Sequence, residues 1–197
     1  VLFTSDNGPW LIFNEHGGSA GLLRGGKGST WEGGMRVPAI FWGPSIVEPG
    51  PVRSMGSTLD VLPTFAALAE TDSPSDRPLD GYDLYGVLRE HADSPRREMY
   101  FYRSGKLFAA RSGDYKLHFI TQEGYTQPEP EVHDRPLLFN LLHDPGEKYD
   151  LAAEEGDVAR RIADRARRYD QELIRGEDQI AKRINGAVGI FLHAPVP

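Results

Sequence analysis

Cysteine is absent from the 197 residues. That excludes a disulfide framework, a thiolate nucleophile and a Cys-ligated zinc. No apolar run approaches the roughly 18 residues that suggest a membrane span. There is no excess of basic residues: Lys+Arg is 22 against Asp+Glu 29, for a formal net charge of −7. That balance weighs against nucleic acid as the main partner. The HExxH zinc-protease pattern is missing too, and so are internal repeats. Apolar residues at 39% and charged residues at 26% place the chain among ordinary globular proteins and exclude collagen or a charged disordered tail. The length suits one domain, or one and a fraction.

What is present is unevenly distributed. Val1-Leu2-Phe3-Thr4 is an apolar run that stops abruptly at Ser5-Asp6-Asn7-Gly8 and reads as a buried strand entering a loop. A strand at the first residue, without a Met, leads us to expect the back part of a longer protein. Nine glycines fall between Asp6 and Arg36, and a loop of that length inside a compact domain is usually functional or disordered. Residues 37–42 read as a second strand, with Pro38 near its start. Residues 58–69 read as a helix on the spacing of Leu59, Leu62, Phe65, Ala66 and Ala69, capped by Thr58 or Asp60, with Pro63 in or near its first turn. A short helix is expected around residues 84–89. Residues 99–103, 107–112 and 115–120 read as strands, the last two forming a hairpin through Gly113-Asp114. Residues 122–136 read as an acidic, Pro-rich surface loop, and 137–141 as a strand. From residue 154 the pattern is helical, with Val158, Ile162, Ala166, Tyr169 and Leu173 on one face and arginines on the other, up to an interruption at Gly176. The tail from 186 to 197 is weakly specified. This order predicts an α/β fold: the edge of a large mixed sheet followed by a small antiparallel sheet with a packed helix. The expected division is 1–70 and 71–197.

Four groups of residues could carry chemistry. Asp6 and Asn7 sit just past a strand's carboxyl end, where open α/β sheets place ligands, and offer hard oxygen donors suited to calcium or magnesium. Alone, Asp-Asn-Gly reads first as an ordinary loop-opening Asx turn, and two oxygens do not make a calcium site. Lys27 lies among Gly25, Gly26 and Gly28, where little side-chain bulk keeps an oxyanion away; alone, it is a solvated loop lysine. The segment from Gly21 to Lys27 nearly fits the nucleotide-binding template G-x-x-x-x-G-K-[ST], but fails at Gly28 where a hydroxyl is required. Glu32 and Arg36 are spaced to form an ion pair that pins the loop to the next strand. His118 shares a strand face with Lys116, opposite Tyr115, Leu117 and Phe119. It is either a half-exposed strand histidine or a polar group aimed into a cleft.

Taken in order, VLFTSDNG, GGSAGLLRGGKGSTWEGGMRVPAIFWGP, STLDVLPTFAALA, DRPLDGYDL, RSGDYKLHFITQ and LLFNLLHDPGEKYDLA resemble the carboxy-terminal part of the type I sulfatases, of arylsulfatase A type. The segment 25–38 is the most specific. The resemblance implies an alkaline-phosphatase-like fold with a smaller antiparallel carboxy-terminal subdomain. It implies hydrolysis of sulfate esters with bound Ca²⁺ and a formylglycine nucleophile made from a Cys or Ser. Asp6 and Asn7 match the family's late pair of calcium ligands, Lys27 the lysine that contacts the sulfate, and His118 a histidine near the active-site mouth.

The modification motif of C-x-P-S-R type is missing, as are the family's early Asp pair and the Lys/His residues that follow it. We therefore expect a sulfatase fragment, inactive alone, with an incomplete calcium site. A sulfated small molecule or glycan is the expected substrate, with no nucleic acid partner. Periplasmic, secreted or lysosome-like export is the family expectation. The alternatives are a phosphoesterase such as a phosphonate monoester hydrolase, or a non-catalytic sulfated-glycan-binding module.

Overall fold

The computed structural model describes residues 1–127 and 129–176. The expected features of the tail from 186 to 197 lie outside them. Val1–Ala166 form one compact unit, and the described residues 167–176 belong to a second.

In the first unit, β1 (Leu2–Thr4) pairs antiparallel with β2 (Ala39–Phe41), Phe3 opposite Ile40. Pro38 stands just before β2, where its missing N–H costs no ladder bond. The expectation that β1 is buried does not hold: Phe3 is 68% exposed, and Ile40 and Trp42 are exposed as well. The apolar run does encode a strand, but the pair is two-stranded and nothing among the described residues covers this face.

The expected helix at 58–69 is a 3-10 turn (Thr58–Asp60) running into α2 (Val61–Leu68). The cap is Ser57, whose Oγ accepts the Leu59 N–H while the Asp60 carboxylate accepts the Ser57 N–H. Leu59, Leu62 and Phe65 are at the surface. The buried side carries Asp60, Pro63 and Thr64. Asp60 there meets Arg96 through Nε at 2.9 Å and Nη2 at 2.5 Å, and also accepts the Tyr82 N–H. Thr64 Oγ1 accepts the Leu84 N–H and donates to the Asp60 carbonyl. This polar knot fastens α2 to the segment that leads into α3 (Tyr85–Glu90).

Strands β3 (Glu98–Arg103), β4 (Lys106–Ser112), β5 (Tyr115–Thr121) and β6 (Glu131–Asn140) form an antiparallel sheet in that order. The hairpin at Gly113-Asp114 is present, with Ser112 opposite Tyr115. The surface loop expected over 122–136 is shorter than that. A 3-10 turn occupies Gly124–Thr126, and β6 begins at Glu131, ten residues long instead of five. Its first half is missed because it is an exposed edge. The register also slips between His118↔Leu137 and Ile120↔Val132, leaving His133 to Pro136 out of step with β5. Pro136 is tolerated in that slip.

One face of this sheet, with Ala110, Leu117 and Leu138, packs on Ile162, Ala163 and Ala166 of α4 (Gly156–Glu172). Full burial of a side chain such as Ile162 contributes about 1.5–3 kcal/mol. The opposite face carries Lys116, His118 and Phe139. In the second unit, α4 ends at Glu172, ahead of Gly176, and Arg175 pairs with Asp170 at 2.5 Å. Among the described residues, no helix is long and apolar enough to cross a membrane.

Candidate functional site

The glycine-rich segment is folded back on itself by backbone hydrogen bonds. Gly8 N–H donates to Gly34 O at 3.1 Å, Lys27 N–H to Pro9 O at 2.8 Å, and Gly33 N–H to Arg24 O at 2.7 Å. These bonds lay the Lys27 turn beside the Asp6-Asn7-Gly8 loop. The approach is closer than any side chain permits: a methyl at Gly8 would stand 1.9 Å from Gly33 O. Ser5 Oγ donates to Asn7 O and closes the turn. The Asp6 carboxylate and the Asn7 amide make no hydrogen bond among the described residues, so no Asx turn occupies them. Asp6 is exposed; Asn7 and Lys27 are half-buried. The Lys27 Nζ lies 5.4 Å from the Trp10 ring centroid, with no carboxylate at ion-pair distance among the described residues.

Asp6 and Asn7 are hard donors of the kind calcium takes, but calcium takes about six to eight oxygens. Among the described residues, no group of three or more His, Cys, Asp or Glu could hold a metal ion. The pair fits calcium as part of a donor set.

Glu32 opens α1 (Glu32–Met35), a single turn. Its carboxylate accepts from Lys116 Nζ at 2.9 Å and from Arg36 Nε at 2.7 Å, with Arg111 3.8 Å away. The ion pair expected between Glu32 and Arg36 is there, within a larger cluster. Lys116 also reaches Glu147 Oε1 at 3.4 Å, and that same oxygen meets His118 Nε2 at 2.7 Å. Glu147 Oε2 accepts the backbone N–H of Glu32 at 2.6 Å. Lys116, His118 and Glu147 are all fully buried. Burial works to raise the pKa of the Glu32 carboxyl, but Lys116, Arg36 and Arg111 together outweigh it and hold it down to about 2. Burial, with Lys116 adding to it, holds His118 down to about 4 against the pull of Glu147.

The interior position of His118 corrects both expectations of its exposure. It is neither half-exposed nor aimed into an open cleft. Its ring centroid lies 4.3 Å from that of Trp31, itself buried, with the ring planes tilted by 38°, and its Nδ1 has no hydrogen-bond partner among the described residues. The pattern of β5 places Lys116 and His118 opposite Leu117 correctly. The polar face is covered because the Gly-rich segment brings Glu32 and Trp31 over it.

Sequence reading missed Glu147. It sits at φ 50° in a turn fixed by the Asp144 carboxylate, which accepts the N–H groups of Lys148 and Tyr149. The only signal is HDPGEKYD, a turn motif with no visible partner. Another feature is misleading on paper. Residues 17–21 spell G-x-S-x-G, but Ser19 is exposed, accepts the Gly21 N–H, and follows no strand, so it is no nucleophile elbow.

Residues 1–71 match the sulfatase family model, and residues 94–188 match that of the C-terminal region of aryl-sulfatase. Arylsulfatase A of Bos taurus is 43% identical over 175 residues, covering 81% of this chain and 34% of the relative. Arylsulfatase A of Homo sapiens is 37% identical over 216 residues, covering 98% and 42%. The crystal structure of the PsFucS1 sulfatase from Pseudoalteromonas sp. superposes with a TM-score of 0.74 at 28% identity, over 85% of this chain and 36% of that one. The chain thus spans well under half the length of these relatives. The fold is that of the alkaline-phosphatase-like sulfatases, and the chain belongs to the sulfatase family.

Proposed function

We propose that these residues form the sulfate-facing and part of the calcium-facing wall of a sulfate ester hydrolase. The observation that carries this reading is the Lys27 N–H to Pro9 O bond, which fastens an ammonium-bearing turn next to two oxygen donors that no other described residue engages. Asp6 and Asn7 would hold a calcium ion together with donors outside the residues assigned here. When bound, such an ion polarises sulfate oxygens and favours an ionised nucleophile. Lys27 offsets negative charge on the sulfate and on the oxygen that departs. His118 is enclosed, so in this reading it acts by positioning, holding Glu147 against the Glu32 backbone and thereby the turn that carries Lys27. The nucleophile, a formylglycine in this reading, is not among these residues. Residues 1–70 belong to the catalytic α/β domain and 71–197 to the smaller subdomain. A sulfated small molecule or glycan is the substrate, met in an exported compartment.

Titration of the ¹⁵N-labelled chain with sodium sulfate tests the reading. Amide shifts centred on residues 25–28, absent in Lys27→Ala, are expected. Sulfate-induced shifts that survive in Lys27→Ala would overturn it. Calcium titration of the same sample is expected to move Asp6 and Asn7 only weakly, since two donors make a partial site.

A further inference from the structure

Asn7-Gly8 is one of two Asn-Gly pairs in the chain; the other, Asn185-Gly186, lies outside the described residues. Such a pair has a chemistry of its own. The backbone nitrogen of the glycine can attack the side-chain carbonyl carbon of the asparagine, because a residue without Cβ leaves that nitrogen unhindered. A five-membered imide forms and the side-chain nitrogen departs as ammonia. Water then opens the imide at either carbonyl. One product is an ordinary aspartate; the other is an isoaspartate, whose main chain runs through the former side chain. In sum, water is consumed, the nitrogen leaves as ammonium and a carboxylate takes its place.

One partner in that reaction is free in the folded protein. The Asn7 amide is half-buried and makes no hydrogen bond among the described residues. The other partner is locked. The peptide group that joins Asn7 to Gly8 must swing before its nitrogen can reach the Asn7 side chain, and both of its polar atoms are tied. Ser5 Oγ donates to the Asn7 carbonyl at 2.8 Å, and the Gly8 N–H donates to Gly34 O at 3.1 Å. Gly8 is buried, and the space beside its Cα is filled: a methyl there would stand 1.9 Å from Gly33 O.

We propose that Asn7 is a modification site, converted to aspartate and isoaspartate through a cyclic imide with Gly8, and that docking of the Gly-rich segment on Gly8 holds the conversion off. The step opens only when Gly8 parts from Gly34, a local unfolding. The isoaspartyl product does not fit back. It lengthens the main chain by one carbon at the contact with Gly33, where there is no room. Either product sets a second negative charge beside Asp6, and like charges repel. None of this depends on the reading of Lys27.

The test incubates the full chain in mildly alkaline buffer, folded and in guanidinium chloride. Tryptic peptide 1–24 is followed by mass and by isoaspartyl methyltransferase labelling, with fragmentation separating Asn7 from Asn14. Conversion at Asn7 is expected to be at least about tenfold slower in the folded chain, by the factor that protects the Gly8 N–H from hydrogen exchange, since one opening governs both. Ser5→Ala frees the Asn7 carbonyl and should speed conversion of the folded chain about two- to tenfold, the range of one hydrogen bond, while Ser5→Thr stays slow. Amide spectra with the β3–β6 sheet unshifted keep this comparison within folded protein. In chain carrying isoaspartate the Gly8 N–H should exchange without protection. Conversion equally fast in folded and denatured wild type, or none at Asn7 in either, overturns the proposal. A Ser5→Ala rate equal to wild type overturns the part assigned to the carbonyl bond.

Discussion

The Glu147 carboxylate accepts the backbone N–H of Glu32 at 2.6 Å, across 115 residues of chain. One acid from a turn after β6 thus holds the first helical residue of the segment that presents Lys27. Its other oxygen is shared by Lys116 and His118. Burying such ions costs several kcal/mol each, and the cost is offset only while every partner is in place. Glu147→Ala leaves Lys116 one carboxylate short and the Glu32 N–H without its acceptor. The expected loss is about 3–5 kcal/mol. Glu147→Gln should lose less, because its amide oxygen still accepts that N–H. Urea unfolding checks this: midpoints should rank wild type, Gln, Ala, at a similar slope. A Glu147→Ala midpoint equal to wild type would remove the cluster from any role in stability.

Much of the second sheet is legible in the sequence because its strands alternate. Leu117 faces α4, Lys116 and His118 do not, and the turn at Gly113-Asp114 sets the register. The site is legible only in part. Asp6, Asn7 and Lys27 stand in a glycine-rich motif that local sequence makes conspicuous. Glu147 does not, because it reaches the site through long-range contacts with a distant segment. Nothing local to HDPGEKYD says that its glutamate will meet a backbone N–H 115 residues away. The apolar spacing of Leu59, Leu62 and Phe65 shows the helix but not its buried side, which Asp60 and Thr64 decide through hydrogen bonds to Tyr82 and Leu84.

The buried histidine makes stability depend on pH. In an unfolded chain His118 takes up a proton near pH 6.5, whereas in the folded protein it resists down to about 4. Between those values the unfolded state binds more protons, so acid favours unfolding. The His118 contribution is fully present above about pH 6.5 and is lost as pH falls toward 4. Glu32 adds to this lower down, its share present above about 4.5 and lost as pH falls toward 2. At roughly 1.4 kcal/mol for each pH unit between the two values, the His118 share is on the order of 3 kcal/mol. Urea unfolding between about pH 7 and about pH 4 should show a steady decline that flattens in His118→Gln. An identical slope in that variant would sink the assignment.

Asp60 and Arg96 make a second buried pair, joined by hydrogen bonds from the guanidinium Nε at 2.9 and 3.2 Å and Nη2 at 2.5 Å, and completed by the Ser57 and Tyr82 N–H groups. Arg96 also donates to Asp80 O at 2.8 Å. Arg96→Leu leaves Asp60 charged in the interior and should cost about 3–5 kcal/mol. Asp60→Asn keeps the shape and should cost less. In the Asp60→Asn/Arg96→Leu double variant the losses should not add, since the stranded charge is gone. Simple additivity in that cycle would mean that the two side chains act independently.

Gly8 and Gly33 are pressed together so tightly that a single methyl decides the geometry of the Asp6–Lys27 region. Gly8→Ala places that methyl 1.9 Å from a backbone oxygen, which no side-chain rotation relieves, and strains the Gly8 N–H to Gly34 O bond. Overpacking of this kind costs about 1–3 kcal/mol or more. The damage should be local. Amide shifts are expected at residues 6–8 and 24–34, with Ala110, Leu117 and Leu138 in the second sheet unmoved. Sulfate binding at Lys27 should weaken in the same variant, because its turn is held to Pro9 O one residue further on. Gly156→Ala is the matched control: nothing lies within 4 Å of the added methyl, and the residue begins α4, where alanine is a better helix former. Equal sulfate affinity in Gly8→Ala and Gly156→Ala would show that the close approach of the two loops is not what positions the ammonium.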